Sequence, residues 1–154
     1  MTKIKPEVQF RNDLKKVAGL MKCRIDIFYD FFVPDAVKRH PLMRQLWIKK
    51  FVFWVIKVIR ESQRTQPFDC ILTTPTAVFC IELKCNNDKQ KPHQKQREQG
   101  LNHINPKAYY VIRRWESKKR CSPLYETKYD IKQNDKVIFR TNYLPEIVEF
   151  FTLL

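Results

Sequence analysis

Glycine is nearly absent from this chain: two of 154 residues. Without glycine-rich loops to cradle phosphates, a nucleotide-binding enzyme is disfavoured and no nucleotide cofactor is expected. No apolar run is long enough to cross a bilayer, because the most hydrophobic stretch, Phe51 to Ile59, is broken by Lys57 and preceded by Lys49 and Lys50. Membrane association is therefore not expected. The opening MTKIKPEVQF has no apolar core of a secretory signal. The cysteines Cys23, Cys70, Cys80, Cys85 and Cys121 contain no Cys-x-x-Cys pair, and a zinc set of Cys80, Cys85 and His93 fits no zinc spacing. An odd count without a signal points to reduced, buried thiols and a cytoplasmic setting, the host cytoplasm if the chain is viral. Repeats, low-complexity tracts and linkers are also missing.

Acids are scarce as well. Sixteen Asp and Glu stand against thirty Lys and Arg, a formal charge of +14 that calls for a polyanionic partner, nucleic acid first. A basic solubility surface or an acidic protein partner would produce the same balance. Apolar residues make up 44% and aromatics 13%, enough for one packed core. At this length a single domain over residues 1–154 is expected.

The chemistry concentrates in PFDCILTTPTAVFCIELK, residues 67–84, which reads as a β-hairpin. Side chains alternate along a strand, so Val78, Cys80, Glu82 and Lys84 share one face and Phe79, Ile81 and Leu83 the other. A turn centred between Thr74 and Pro75 puts Asp69 opposite Cys80, with Glu82 its diagonal neighbour about 7 Å away. A turn shifted by one residue would send Asp69 to the opposite face, so the reading requires an even-length loop. Two carboxylates at that separation can chelate Mg²⁺ or Mn²⁺ and leave sites for phosphate oxygens. A lysine beside them can stabilise the attacked phosphorus, which makes Asp69, Glu82 and Lys84 a candidate phosphodiester hydrolysis site.

Elsewhere the pattern alternates helices and strands. Pro6 to Met21 has Phe10, Leu14, Val17 and Met21 at helical spacing, and Glu7 falls on the same stripe. Cys23 to Val33 reads as a strand, residues 42–61 as a helix within an insertion at about 35–64, and Pro92 to Ile104 as a surface helix anchored by Leu101 and Ile104. Ala108 to Trp115 reads as a central strand. Ser122 to Thr141 looks charged and turn-rich with one short strand, KVIFR, and Tyr143 to Leu154 closes the chain as an amphipathic helix. Lys89 and Lys91 in the polar turn before the third helix, Lys95 and Arg97 on that helix, and Arg113, Arg114, Lys118, Lys119 and Arg120 at the end of the central strand, form candidate phosphate contacts. A charge run is also an ordinary solvated face.

Pro67, Asp69, Glu82, Leu83 and Lys84 resemble the PD-(D/E)XK nuclease signature, with Phe68 inserted between the proline and the aspartate. Gln94, in PHQKQREQGLNHI, resembles the glutamine-bearing helix of the branch with VRR-NUC domains and Holliday-junction resolvase-like endonucleases. The likeness spans residues 66–112. It implies an α/β restriction-endonuclease-like core, a mixed sheet flanked by helices, and a metal-dependent DNA endonuclease working as a homodimer on branched DNA. Asp69 and Glu82 would bind metal, the Leu83 carbonyl would add a ligand, and Lys84 would assist the attacking water. The resemblance further implies a metal-directed Glu7, for which Asp13 and Glu61 are substitutes, although a first-turn acid also suits a helix dipole. Gln94 would sit beside Lys84, or else be an ordinary solvated residue. The competing expectation is a non-catalytic nucleic-acid-binding protein with a nuclease-like fold.

Overall fold

Proline has no N–H to leave unsatisfied and its φ is already helical, so Pro6 opens helix α1, Pro6–Leu20. A computed structural model of the protein describes residues 4–27, 68–117 and 126–154. Phe10, Leu14 and Ala18 form the fully buried stripe of α1. The helix ends in a Schellman motif: Lys22 takes φ 59°, and the Cys23 N–H donates to the Ala18 carbonyl at 2.8 Å.

Strands β1 (Arg24–Ile27), β2 (Cys70–Thr73) and β3 (Val78–Cys85) follow, then helix α2 (Pro92–Ile104), strands β4 (Tyr109–Ser117), β5 (Glu126–Gln133) and β6 (Lys136–Thr141), and helix α3 (Leu144–Thr152). The six strands lie side by side in chain order in one mixed sheet. Neighbours are antiparallel except β3 and β4, which are parallel and joined through α2, as a crossover requires. The expected α/β class and helix-flanked mixed sheet are therefore present.

Alternation divides the sheet chemically. One face gathers Ile25, Leu72, Phe79, Ile81, Leu83, Tyr110, Ile112 and Ile131 against Phe10 and Leu14 of α1 and Ile147 and Phe151 of α3. Phe151 packs 5.0 Å from the Phe79 ring and edge-on to Tyr110 at 5.2 Å. The other face carries Glu82 and Lys84 and is overlain by α2. That helix docks through buried Leu101 and also through buried Arg97 and Glu98. Glu98 accepts a bond from the Asn134 backbone, and burial pushes its carboxyl pKa up. Hence α2 is held by charged residues as well as the expected apolar edge, and Arg97 is not on the solvent side.

The segment read as turn-rich contains a full strand that the sequence reading missed, β5. Its signal is alternation: Tyr129 and Ile131 are buried, and between them and beyond stand Lys128, Asp130 and Lys132. Asn134 and Asp135, with φ 52° and 64°, make the two-residue turn into β6, as expected of a type I′ hairpin. β1 is seen over Arg24–Ile27 only. The remainder of the predicted 23–33 strand, the 42–61 helix, the 35–64 insertion, Glu61, Lys118, Lys119, Arg120 and Cys121 lie outside the described residues.

Candidate functional site

Cys70 faces Ile81 and Ile71 faces Cys80, and the ladder ends there, with Asp69 in the bend just before Cys70. This corrects the expected register by a full pair. The loop runs over residues 74–77 and is closed by the Thr74 N–H donating to the Ala77 carbonyl at 2.8 Å, which centres the turn one residue later than expected. Moving the centre by a whole residue shifts partners by two and keeps side-chain parity. The residues of β2 keep the faces expected of them, and Asp69 reaches Glu82 from the end of the strand.

The Leu83 N–H donates to Asp69 Oδ2 at 2.8 Å, which ties that carboxylate to the backbone of β3. Asp69 is in side-chain hydrogen-bonding contact with both Glu82 and Glu7, so three carboxylates form a chain from β3 through Asp69 to α1. Lys84 Nζ lies 4.0 Å from Glu82 Oε1, with its side chain 12% exposed. Burial, then the Asp69 charge, holds the Glu82 carboxyl well above the ordinary carboxylate range. Glu7 is pushed up to about 7 by desolvation of its carboxyl end and then by Asp69, although the residue as a whole is exposed. Asp13, considered a substitute, is paired with Arg114 at 2.9 Å.

Gln94 lies in the first turn of α2. Its Oε1 accepts the Lys91 N–H at 2.9 Å, half of a capping box. Its Nε2 is thereby aimed outward and donates to Glu82 Oε1 at 2.8 Å. Gln94 Nε2 and Lys84 Nζ thus approach the same oxygen, Glu82 Oε1. Tyr109, buried at the start of β4, donates its hydroxyl to Glu82 Oε2 at 3.3 Å. Sequence reasoning missed Tyr109. The available signal was its place, paired with Cys80 across the β3–β4 ladder and two residues from Val111, the partner of Glu82.

The expected phosphate contacts separate into two groups. Lys89, Lys91 and Lys95 are exposed, with Lys95 3.6 Å from Asp135. Arg97 is buried. Arg114 lies on the α1 face, paired with Asp13 and Glu116, each at 2.9 Å, and its guanidinium is 5.9 Å from the Phe10 ring. Arg113 donates to the Asn86 carbonyl at 2.6 Å and to the Asp88 carbonyl, pinning the turn after β3. Arg97, Arg113 and Arg114 are thus engaged within the fold. His93 and His103 are exposed, as expected. Cys80 and Cys85 have opposite parity on β3 and cannot share a zinc ion.

Three touching carboxylates suit a hard divalent cation, which takes oxygen ligands and offsets the repulsion among them. Among the described residues no three Asp, Glu, His or Cys side chains form a ready-made cation cage. No known protein family, curated protein or solved structure matches this chain.

Proposed function

We propose that this protein is a Mg²⁺- or Mn²⁺-dependent DNA endonuclease. The observation that carries the reading is the meeting of Asp69 with Glu82, beside Lys84, joined by Glu7 from α1. Asp69 and Glu82 would hold the cation, with Glu7 and the Leu83 carbonyl as further ligands. A cation bound there would supply an activated water and offset charge on the attacked phosphate. Lys84 holds a positive charge beside that phosphate at no cost of reorganisation. Gln94 and Tyr109 fix the Glu82 carboxylate from both of its oxygens, and the Leu83 N–H fixes Asp69, so the acids are oriented before substrate arrives. Gln94 is in this sense a positioning residue.

The net charge of +14 supports a nucleic-acid substrate. Branched DNA as the preferred form, and a homodimer able to cut two strands, complete the proposal. A cytoplasmic setting goes with it, since Cys23, Cys70, Cys80 and Cys85 are buried free thiols. Among the described residues no helix is long and apolar enough to cross a membrane.

The test is cleavage of supercoiled plasmid, linear duplex and four-way junctions with Mg²⁺ or Mn²⁺. Wild type cuts, chelator stops it, and Glu82→Ala and Lys84→Ala abolish cutting while retaining gel-shift affinity. Wild-type turnover in either variant, or cutting that chelator leaves unchanged, overturns the assignment. DNA binding with no cleavage under any metal would instead identify a non-catalytic binding protein.

A further inference from the structure

The ladder aligns one row of side chains across four strands. Lys84 pairs with Arg113, Arg113 with Asp130, and Asp130 with Arg140. Facing residues project from the same side of a sheet, so this row continues the face that carries Glu82. At about 4.8 Å per strand it runs about 14 Å from β3 to β6. Trp115 lies two residues beyond Arg113 on β4 and pairs with Lys128 of β5, which adds a second row on the same face.

Trp115 is held in position yet open. Its indole N–H donates to Asp130 Oδ2 at 2.8 Å, and the Arg113 guanidinium sits 5.3 Å from its ring centroid. Asp130 is buried, whereas Trp115 keeps 37% of its surface exposed. The indole borders an open cleft of about 580 Å³ shared with Lys128, Asp130 and Arg140. Lys128 and Arg140 are exposed, and neither pairs with an acid among the described residues. A fixed aromatic surface flanked by two exposed cations is what a base and its phosphates require: stacking on the ring, charge on either side. Bases within a duplex are already stacked on one another and are not free to lie on an indole at a sheet face.

We propose that Trp115, Lys128 and Arg140 form a subsite for an unpaired nucleotide, which engages a single-stranded segment of DNA one row from Lys84. The connection to Lys84 rests on the hydrolase reading; the preference for single strands does not.

The experiment measures fluorescence anisotropy of a labelled single-stranded oligonucleotide and of its duplex, with the full chain, in chelator so that neither is cut, over a salt series. Wild type binds the single strand more tightly. Trp115→Ala weakens single-strand binding about tenfold or more while duplex binding changes less than about threefold, and Trp115→Phe, which keeps a stacking ring, retains most of the affinity. The exposed pair Lys128→Gln/Arg140→Gln, which leaves the ring in place, flattens the single-strand salt slope by about 1.4. Unchanged single-strand binding in Trp115→Ala and in the double variant overturns the subsite, as does equal loss on both DNA forms. Single-strand binding that depends on Trp115, in a protein that cuts nothing, overturns the hydrolase and leaves the subsite standing. Metal-dependent cleavage with no role for Trp115 does the reverse.

Discussion

At the scale of single residues, Glu82 is where the stability of the fold and the proposed cation site oppose each other. A buried carboxylate against Asp69 is costly without a cation. Glu82→Gln is expected to raise the melting temperature of metal-free protein at pH 8 by about 2–4 °C, the shift for about 1 kcal/mol at this size, while abolishing cleavage. Calorimetry beside a plasmid assay checks both; a lower melting temperature would contradict the strain assigned to this carboxylate. Gln94→Ala and Tyr109→Phe leave the ligands in place but release one oxygen of Glu82 each. Each should weaken Mg²⁺ activation by about 10- to 100-fold, visible as a shifted metal titration of cleavage. The shared face of Glu82 and Lys84 was legible in the residues because alternation along β3 fixes it. Tyr109 was not, because its value depends on which strand lies beside β3, and nothing local states that.

At the scale of elements, the carboxylate chain joins α1 to the β2–β3 hairpin, and its stability depends on pH with a definite sign. The folded-state pKa of Glu7 is raised from 4.5 to about 7, and that of Glu82 is raised as well. Between the ordinary and raised values the folded protein binds more protons than the unfolded chain, so stability is highest below about 4.5 and falls as pH rises toward 7. Metal-free melting temperatures should therefore decline over that interval, and added Mg²⁺ should raise them more at pH 8 than at pH 5. Thermal melts with and without metal at the two pH values decide it. The β5–β6 turn supplies an independent element-level test. Asp135 has φ 64° and its lysine neighbours are exposed or distant, Lys95 at 3.6 Å and Lys132 at 4.0 Å. Asp135→Gly should hold or raise stability, whereas a β-branched Asp135→Val should cost about 1–3 kcal/mol in denaturant melts. The Asn-Asp turn and the alternation after Thr127 were present in the sequence. They were obscured by the charge of the segment, which resembles a solvated loop when the buried Tyr129 and Ile131 are not set apart.

At the scale of the whole molecule, a charge of +14 predicts DNA binding that weakens steeply with salt whatever the state of the metal site. A log–log plot of affinity against salt for wild type and Glu82→Ala should give parallel lines, and a salt-independent affinity would remove the electrostatic basis of the interaction. The amino-acid sequence by itself determined the alternation of helices and strands, the parity that sets Glu82 and Lys84 on one face, and the basic character of the surface, because these follow from local periodicity and composition. Only the tertiary structure decided the turn centre of the β2–β3 hairpin and the contact of Asp69 with Glu82. It also turned Gln94 onto Glu82, committed Arg97, Arg113 and Arg114 within the fold, and carried the Lys84 face across to Trp115 and Arg140. Those outcomes depend on which strands become neighbours, and strand neighbourhood is set by the packing of α1, α2 and α3 on the sheet rather than by any short stretch of chain.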